Sequence, residues 1–152
     1  NTYLATGGTR ISDSYRNWIK HNYNNSDLNI RALMARANRI LSLAECNAYA
    51  SPFPNESYKA AIRALPSLFP LNNSFEGAEI SQKALDSWQD NKLEPTIIMS
   101  GTRDPLIPLD QMKKLSNMLY SNGYINTVNN AGHFVPEWGM EFSEQLFTEL
   151  GK

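Results

Sequence analysis

Asp104 and His133 are the residues of this chain whose types and surroundings best suit proton transfer. Asp104 ends the segment Gly101-Thr102-Arg103-Asp104, and His133 lies in Ala131-Gly132-His133-Phe134. Each segment follows a short apolar, β-rich run, residues 96–100 and 124–128, and precedes a helical pattern. A histidine on such a loop can take a proton from water near neutral pH and hold it briefly. A carboxylate that accepts from its other ring N–H fixes the tautomer and stabilises the imidazolium. Asp104-Pro105 is also an ordinary turn sequence, so a structural use of Asp104 stands beside the catalytic one. An attacking atom is not evident, since no Gly-x-Ser-x-Gly or Gly-x-Asp-x-Gly occurs in the chain.

Other titratable residues are weaker candidates. His21 sits between Lys20 and Asn22 on a polar helix end. Asp110 falls in the first turn of a helical pattern, where an acid stabilises the N-terminus. Cys46 lies in an apolar helical stretch and reads as a small buried hydrophobe.

Two regions must position Asp104 and His133. Residues 7–75 read as short helices joined by polar or Pro-rich turns, with Pro52, Pro54, Pro66 and Pro70 as punctuation. Helices are predicted over 13–22 and 27–40. A third begins at the capping box Ser42-Leu43-Ala44-Glu45 and ends before Pro52. A fourth, capped by Asn55, covers 56–65 and stops at Pro66. From residue 76 helix and strand alternate: helix 78–89, strand 96–100, helix 109–120, strand 124–129, helix 138–150. Residues 2–4 read as the stub of a further strand. Alternation of this kind means βαβ units and a parallel sheet covered by helices, so the fold class is α/β. Parallel sheets are buried on both faces and normally hold more strands than this. Asn1, not Met, opens the chain, and the expectation is that it is part of something larger.

Composition narrows the function classes. A hydrophobic fraction of 41% over 152 residues suffices for one core of ordinary size. A formal net charge of -1 gives no electrostatic reason to expect nucleic acid or an anionic membrane as partner. No apolar run approaches the length of a membrane span, and no signal peptide opens the chain. A single cysteine forbids an internal disulfide, and a cytoplasmic location is the expectation.

Five segments carry a family resemblance: Ala48-Tyr49-Ala50-Ser51-Pro52-Phe53-Pro54, Ser57-Tyr58-Lys59-Ala60, Arg63-Ala64-Leu65-Pro66, Gly101-Thr102-Arg103-Asp104-Pro105 and Ala131-Gly132-His133-Phe134-Val135. In order and approximate spacing the chain resembles the C-terminal half of the haloalkane dehalogenase family of α/β-hydrolases. The resemblance implies the end of a core strand at 1–6, a helical cap at 7–75 and the C-terminal part of the core at 76–152. It implies hydrolysis of carbon–halogen bonds through an alkyl-enzyme ester, with no metal or organic cofactor. An aspartate nucleophile outside this chain would displace halide, His133 would activate water, and Asp104 would orient His133. Trp18 matches the family's cap tryptophan that donates to the halide. Tyr15, Ile62, Leu65, Pro66, Leu106, Ile107 and Phe134 match its apolar substrate pocket, which suits a small apolar haloalkane.

Two departures stand out. Pro136 replaces a polar residue of the His loop, and Tyr15 stands where an aromatic without a hydroxyl is common. Cap tyrosines activate oxygen in related epoxide hydrolases, so an epoxide hydrolase or an esterase of the same fold is the first alternative. The second is a truncated, non-catalytic interaction or assembly module. In either case the open strand edge and uncovered apolar faces predict a missing N-terminal half or self-association.

Overall fold

The computed structural model describes residues 4–91, 97–120 and 125–151. Helix α1 (Asp13–Asn24) starts where Ser12 Oγ accepts from the Tyr15 N–H at 3.1 Å, with Asp13 acidic in its first turn. It packs on α4 (Ala60–Ala64) and on the 3-10 turn Leu65–Leu68. Helix α2 (Ile30–Leu33) passes into a 3-10 turn, Met34–Ala37. Helix α3 (Leu43–Ala50) carries the predicted capping box with both arms formed. Lys59 is buried and is paired with Asp27.

The expected 27–40 helix is therefore much shorter. The Asn29 side chain accepts from the Ala32 N–H at 3.1 Å and starts the helix late. Asn38, at φ 55°, turns left-handed and ends it early. Asparagine favours both conformations over the helix interior. The 56–65 helix also differs: a 3-10 turn, Glu56–Lys59, precedes α4, and the chain runs on through Pro66. A proline in the first turn removes an N–H that has no partner in any case.

The second region is built around two short parallel strands, β1 (Met99–Gly101) and β2 (Asn126–Val128), in register Met99↔Asn126 through Gly101↔Val128. Three helices belong to the same region: α6 (Leu109–Tyr120) packs on β1, α7 (Gly139–Glu149), led in by a 3-10 turn at Val135–Trp138, packs on β2, and α5 (Ala78–Asn91) packs on α6. The strands are shorter than predicted, and 92–96 and 121–124 lie outside the described residues, as do Thr2 and Tyr3 of the proposed stub; Leu4 is not in a strand. One apolar cluster, Leu106, Ile107 and Met112, takes Tyr15 and Trp18 of α1 against Ile98 and Leu115. A second, Val128, Ala131 and Val135, lies under Trp138 and Phe142. No described helix is long and apolar enough to cross a membrane.

Candidate active site

Asp104 and His133 meet at the ends of the two strands. The turn after β1 is tied down by the Thr102 N–H donating to the Val128 carbonyl at 3.2 Å and the Arg103 N–H to Ala131 at 2.9 Å. Gly101 is required there, because a Cβ would lie 2.4 Å from the Ala131 carbonyl oxygen. The Asp104 carboxylate is fully buried and divides its work between two oxygens. Oδ1 accepts from the Leu106 and Ile107 N–H groups at 2.8 and 3.0 Å, which is the turn-forming use. Oδ2 lies 3.0 Å from His133 Nδ1. A carboxylate only accepts, so Nδ1 carries the proton and Nε2 is left as the basic nitrogen.

The helical region holds the histidine loop from the other side. The Gly132 and His133 N–H groups donate to the Ala37 and Arg36 carbonyls at 2.9 and 2.6 Å. Asn38 Nδ2 donates to the Asn130 carbonyl at 2.6 Å, and the Trp138 indole N–H to Ala37 at 2.8 Å. Ser12 Oγ donates to the Leu106 carbonyl at 2.6 Å. The approach is so close that a Cβ on Gly132 would stand 2.0 Å from the Arg36 carbonyl oxygen.

Between the two regions lies a cavity of about 460 Å3. His133, Trp18, Ile62, Leu106 and Phe134 line it, so five of the ten sequence-predicted site residues come together there. Asp104 sits behind His133. Leu65, Pro66, Ile107 and Tyr15 do not line it. Leu65 is 63% exposed and Pro66 is buried in the 3-10 turn. Ile107 belongs to the core, and Tyr15 packs on that core and on the Phe69 ring, 5.4 Å away. His21 is exposed and bonded to Asn25, and Asp110 is exposed beside Lys114.

The remaining wall includes residues that sequence reasoning did not single out as lining: Ile30, Leu33, Met34, Arg36, Tyr49, Phe53, Pro136 and Glu137. Tyr49 and Phe53 belong to the proline-rich block 48–54, which is informative as a pattern but silent on where the rings point. Glu137 accepts from the Tyr49 hydroxyl and from Arg39 at 3.3 Å. Arg39 also reaches Glu45 at 2.8 Å. The Arg39 hydrogen bond, helped by the Ser42 N–H and hydroxyl, holds the Glu45 carboxyl at about 2. Hydrogen bonding to Glu137 pushes the Tyr49 phenol up. The Trp18 indole N–H has no partner among the described hydrogen bonds, unlike that of Trp138. Among the described residues no three or more His, Cys, Asp or Glu side chains group to hold a metal ion.

No family model matches the chain. It is 29% identical over 104 residues to a haloalkane dehalogenase of Mycobacterium marinum, covering 66% of this chain and 34% of that protein. A haloalkane dehalogenase of Psychrobacter cryohalolentis is 27% identical over 143 residues, 90% of this chain and 46% of its own length. The structure of the tetrameric haloalkane dehalogenase DpaA from Paraglaciecola agarilytica superposes with a TM-score of 0.81 at 24% identity, over 91% of this chain and 47% of that one. The chain thus spans about a third to a half of the length of the curated relatives it matches. Its fold is that of part of an α/β-hydrolase, and the matches fit the C-terminal part of a haloalkane dehalogenase.

Proposed function

We propose that this chain forms the water-activating and cavity-forming part of a carbon–halogen hydrolase of haloalkane dehalogenase type. The observation that carries this reading is one cavity wall holding both a carboxylate-oriented histidine and an indole N–H that has no partner among the described residues. A carboxylate nucleophile from outside this chain attacks the halogen-bearing carbon. The carbon–halogen bond breaks, and the halide leaves with its electron pair toward the Trp18 N–H. His133 Nε2 then takes a proton from water, hydroxide adds to the ester carbonyl, and the alcohol and free carboxylate are released. Asp104 stabilises the imidazolium formed in that step. Ile62, Leu106 and Phe134 suit a substrate that is uncharged until charge develops on the departing halide. The reading needs no metal or organic cofactor.

The edge of β1 that no described strand covers, and exposed side chains such as Ile40 and Ile80, 95% and 73% accessible, fit coverage by an upstream half or by a second copy. The tetramer formed by the Paraglaciecola enzyme favours self-association as one such arrangement.

Halide release tests the reading. The 152-residue chain alone should release no bromide from dibromoethane or bromobutane above buffer, because losing a covalent nucleophile removes the two-step route. Joined to the upstream half of the Psychrobacter relative, it should turn over. Turnover by the chain alone, or none by the joined protein when folded, overturns the proposal.

A further inference from the structure

Arg36 differs from every other cation near the cavity. Arg39 is paired with Glu45 and Glu137. No carboxylate lies within ion-pair distance of Arg36 among the described residues. Its guanidinium carbon instead lies 4.3 Å from the centre of the Trp18 ring. Its carbonyl accepts from the His133 N–H, so the residue is fixed at both ends. The two acids nearest the cavity are already engaged, Asp104 with His133 and two backbone N–H groups, Glu137 with Tyr49 and Arg39. Burial works against the Arg36 charge and draws its pKa down. A half-buried cation without a counter-charge, set in a wall of Ile30, Leu33, Ile62 and Leu106, creates a positive potential that a small anion would neutralise.

A second cleft, of about 530 Å3, adjoins the first. Trp18, Arg36 and Leu106 line both, so the stacked pair stands at their boundary. Beyond it, Ser14, Asn17 and His21 offer hydrogen-bond donors.

We propose that Arg36 forms a binding site for a monovalent anion at this boundary, and that the halide freed in the cavity leaves over it into the second cleft. The identity of the anion rests on the function proposed above; the site itself rests on Arg36. The guanidinium lies over the Trp18 ring and lines both cavities, so a halide released beside Trp18 passes this cation on its way into the second cleft. Stacking keeps the side chain extended and limits the ordering cost on binding.

Bromide binding to the 152-residue chain, followed by bromine NMR line broadening at fixed ionic strength, tests this. The unmodified chain should show saturable binding. Arg36→Met should weaken it about ten-fold or more, whereas Arg36→Lys, which keeps the charge but gives up the planar stack, should fall between the two. Arg36→Gln gives a second neutral variant should the Met form fail to fold by circular dichroism. Absence of saturable binding in the unmodified chain, or unchanged binding in both neutral variants, overturns the site. Loss in Trp18→Phe alone, with Arg36→Met unaffected, overturns the Arg36 assignment and leaves the reading of Trp18 standing. Loss in Arg36→Met alone supports the anion site and counts against Trp18 as the halide donor. Acetate displacing bromide at lower concentration than bromide itself binds makes the ligand a carboxylate and overturns the halide assignment.

Discussion

The helical region, 4–75, and the sheet-bearing region, 76–151, hold their parts of the site by different means. Asp104 and His133 sit on loops at the ends of two hydrogen-bonded strands, backed by buried clusters around Leu106 and Val128. Trp18, Ile30, Arg36 and Ile62 come from helices that are mostly short, joined by caps and 3-10 turns. A short helix gains little from its own hydrogen bonds and depends on what it docks against. The difference implies that the Asp104–His133 pair is geometrically stiff while the wall is adjustable. It also gives the seam between them, where backbone N–H groups of 132–133 meet backbone carbonyls of 36–37, a weight that neither region has alone.

The sharpest division between the regions is kinetic. In a protein completed by an upstream nucleophile, His133→Ala should stop after one equivalent of halide, with the ester trapped and visible by mass spectrometry. Loss of the base should slow ester hydrolysis about a thousand-fold. Trp18→Phe should fail earlier, slowing ester formation by about 1–3 kcal/mol for a lost donor in a dry site. Multiple turnovers by His133→Ala, or an unchanged first step in Trp18→Phe, would dissolve the division of labour.

The seam should break next. Gly132→Ala places a methyl group against the Arg36 carbonyl, and backbone cannot swing aside as a side chain can. We expect a loss of about 3 kcal/mol or more in a urea melt, larger than most single-residue changes. A melt like that of the unmodified chain would mean that the seam accepts a methyl group without cost and carries no special weight.

Asp104 offers a finer probe within the stiff region. Asp104→Asn keeps an oxygen for the Leu106 and Ile107 N–H groups but offers an amide N–H or a misplaced acceptor to His133. Stability should fall by about 1 kcal/mol while the base loses its orienting partner. Asp104→Ala strips both buried N–H groups as well and should cost about 2–4 kcal/mol. Equal melting of the two variants would remove the turn-forming role of Oδ1.

What the sequence made legible follows the same boundary. The helix over 109–120 is legible at its observed limits, because Met112, Leu115 and Leu119 keep helical spacing. The strand-then-loop placement of Asp104 and His133 was readable for the same reason: period and punctuation agree there. In the cap they conflict. Asn29 and Asn38 interrupt an apolar spacing that otherwise reads as one helix over 27–40. A regular helix over 56–65 would set Ile62 and Leu65 on one face. The regular helix stops at Ala64, and Ile62 lines the cavity while Leu65, at the start of the 3-10 turn, faces solvent and Pro66 is buried in that turn. Arg36, Tyr49 and Glu137 carried no periodic signal, and only the folded chain brings them to one wall.

The smallest expected effect lies in the exposed end of the seam. Glu45 is half-exposed, bonded through Oε1 to Arg39 and through Oε2 to the Ser42 N–H and hydroxyl. Those bonds lower its carboxyl from an ordinary 4.5 to about 2 in the folded chain. A carboxyl depressed on folding contributes stability that is fully present above its unfolded value and disappears as pH falls through its folded value. The contribution should therefore be complete above pH 4.5 and fade toward about 2, with solvent and salt screening keeping it modest. Glu45→Gln isolates the charge, because a glutamine at this position can still complete the capping box. The melting temperatures of the two proteins should differ above pH 4.5 and converge as pH drops toward about 2. A difference that stays constant across that window would place the Glu45 contribution in its hydrogen bonds alone. Arg39 would then tie the cap to the core through Glu137 without help from Glu45.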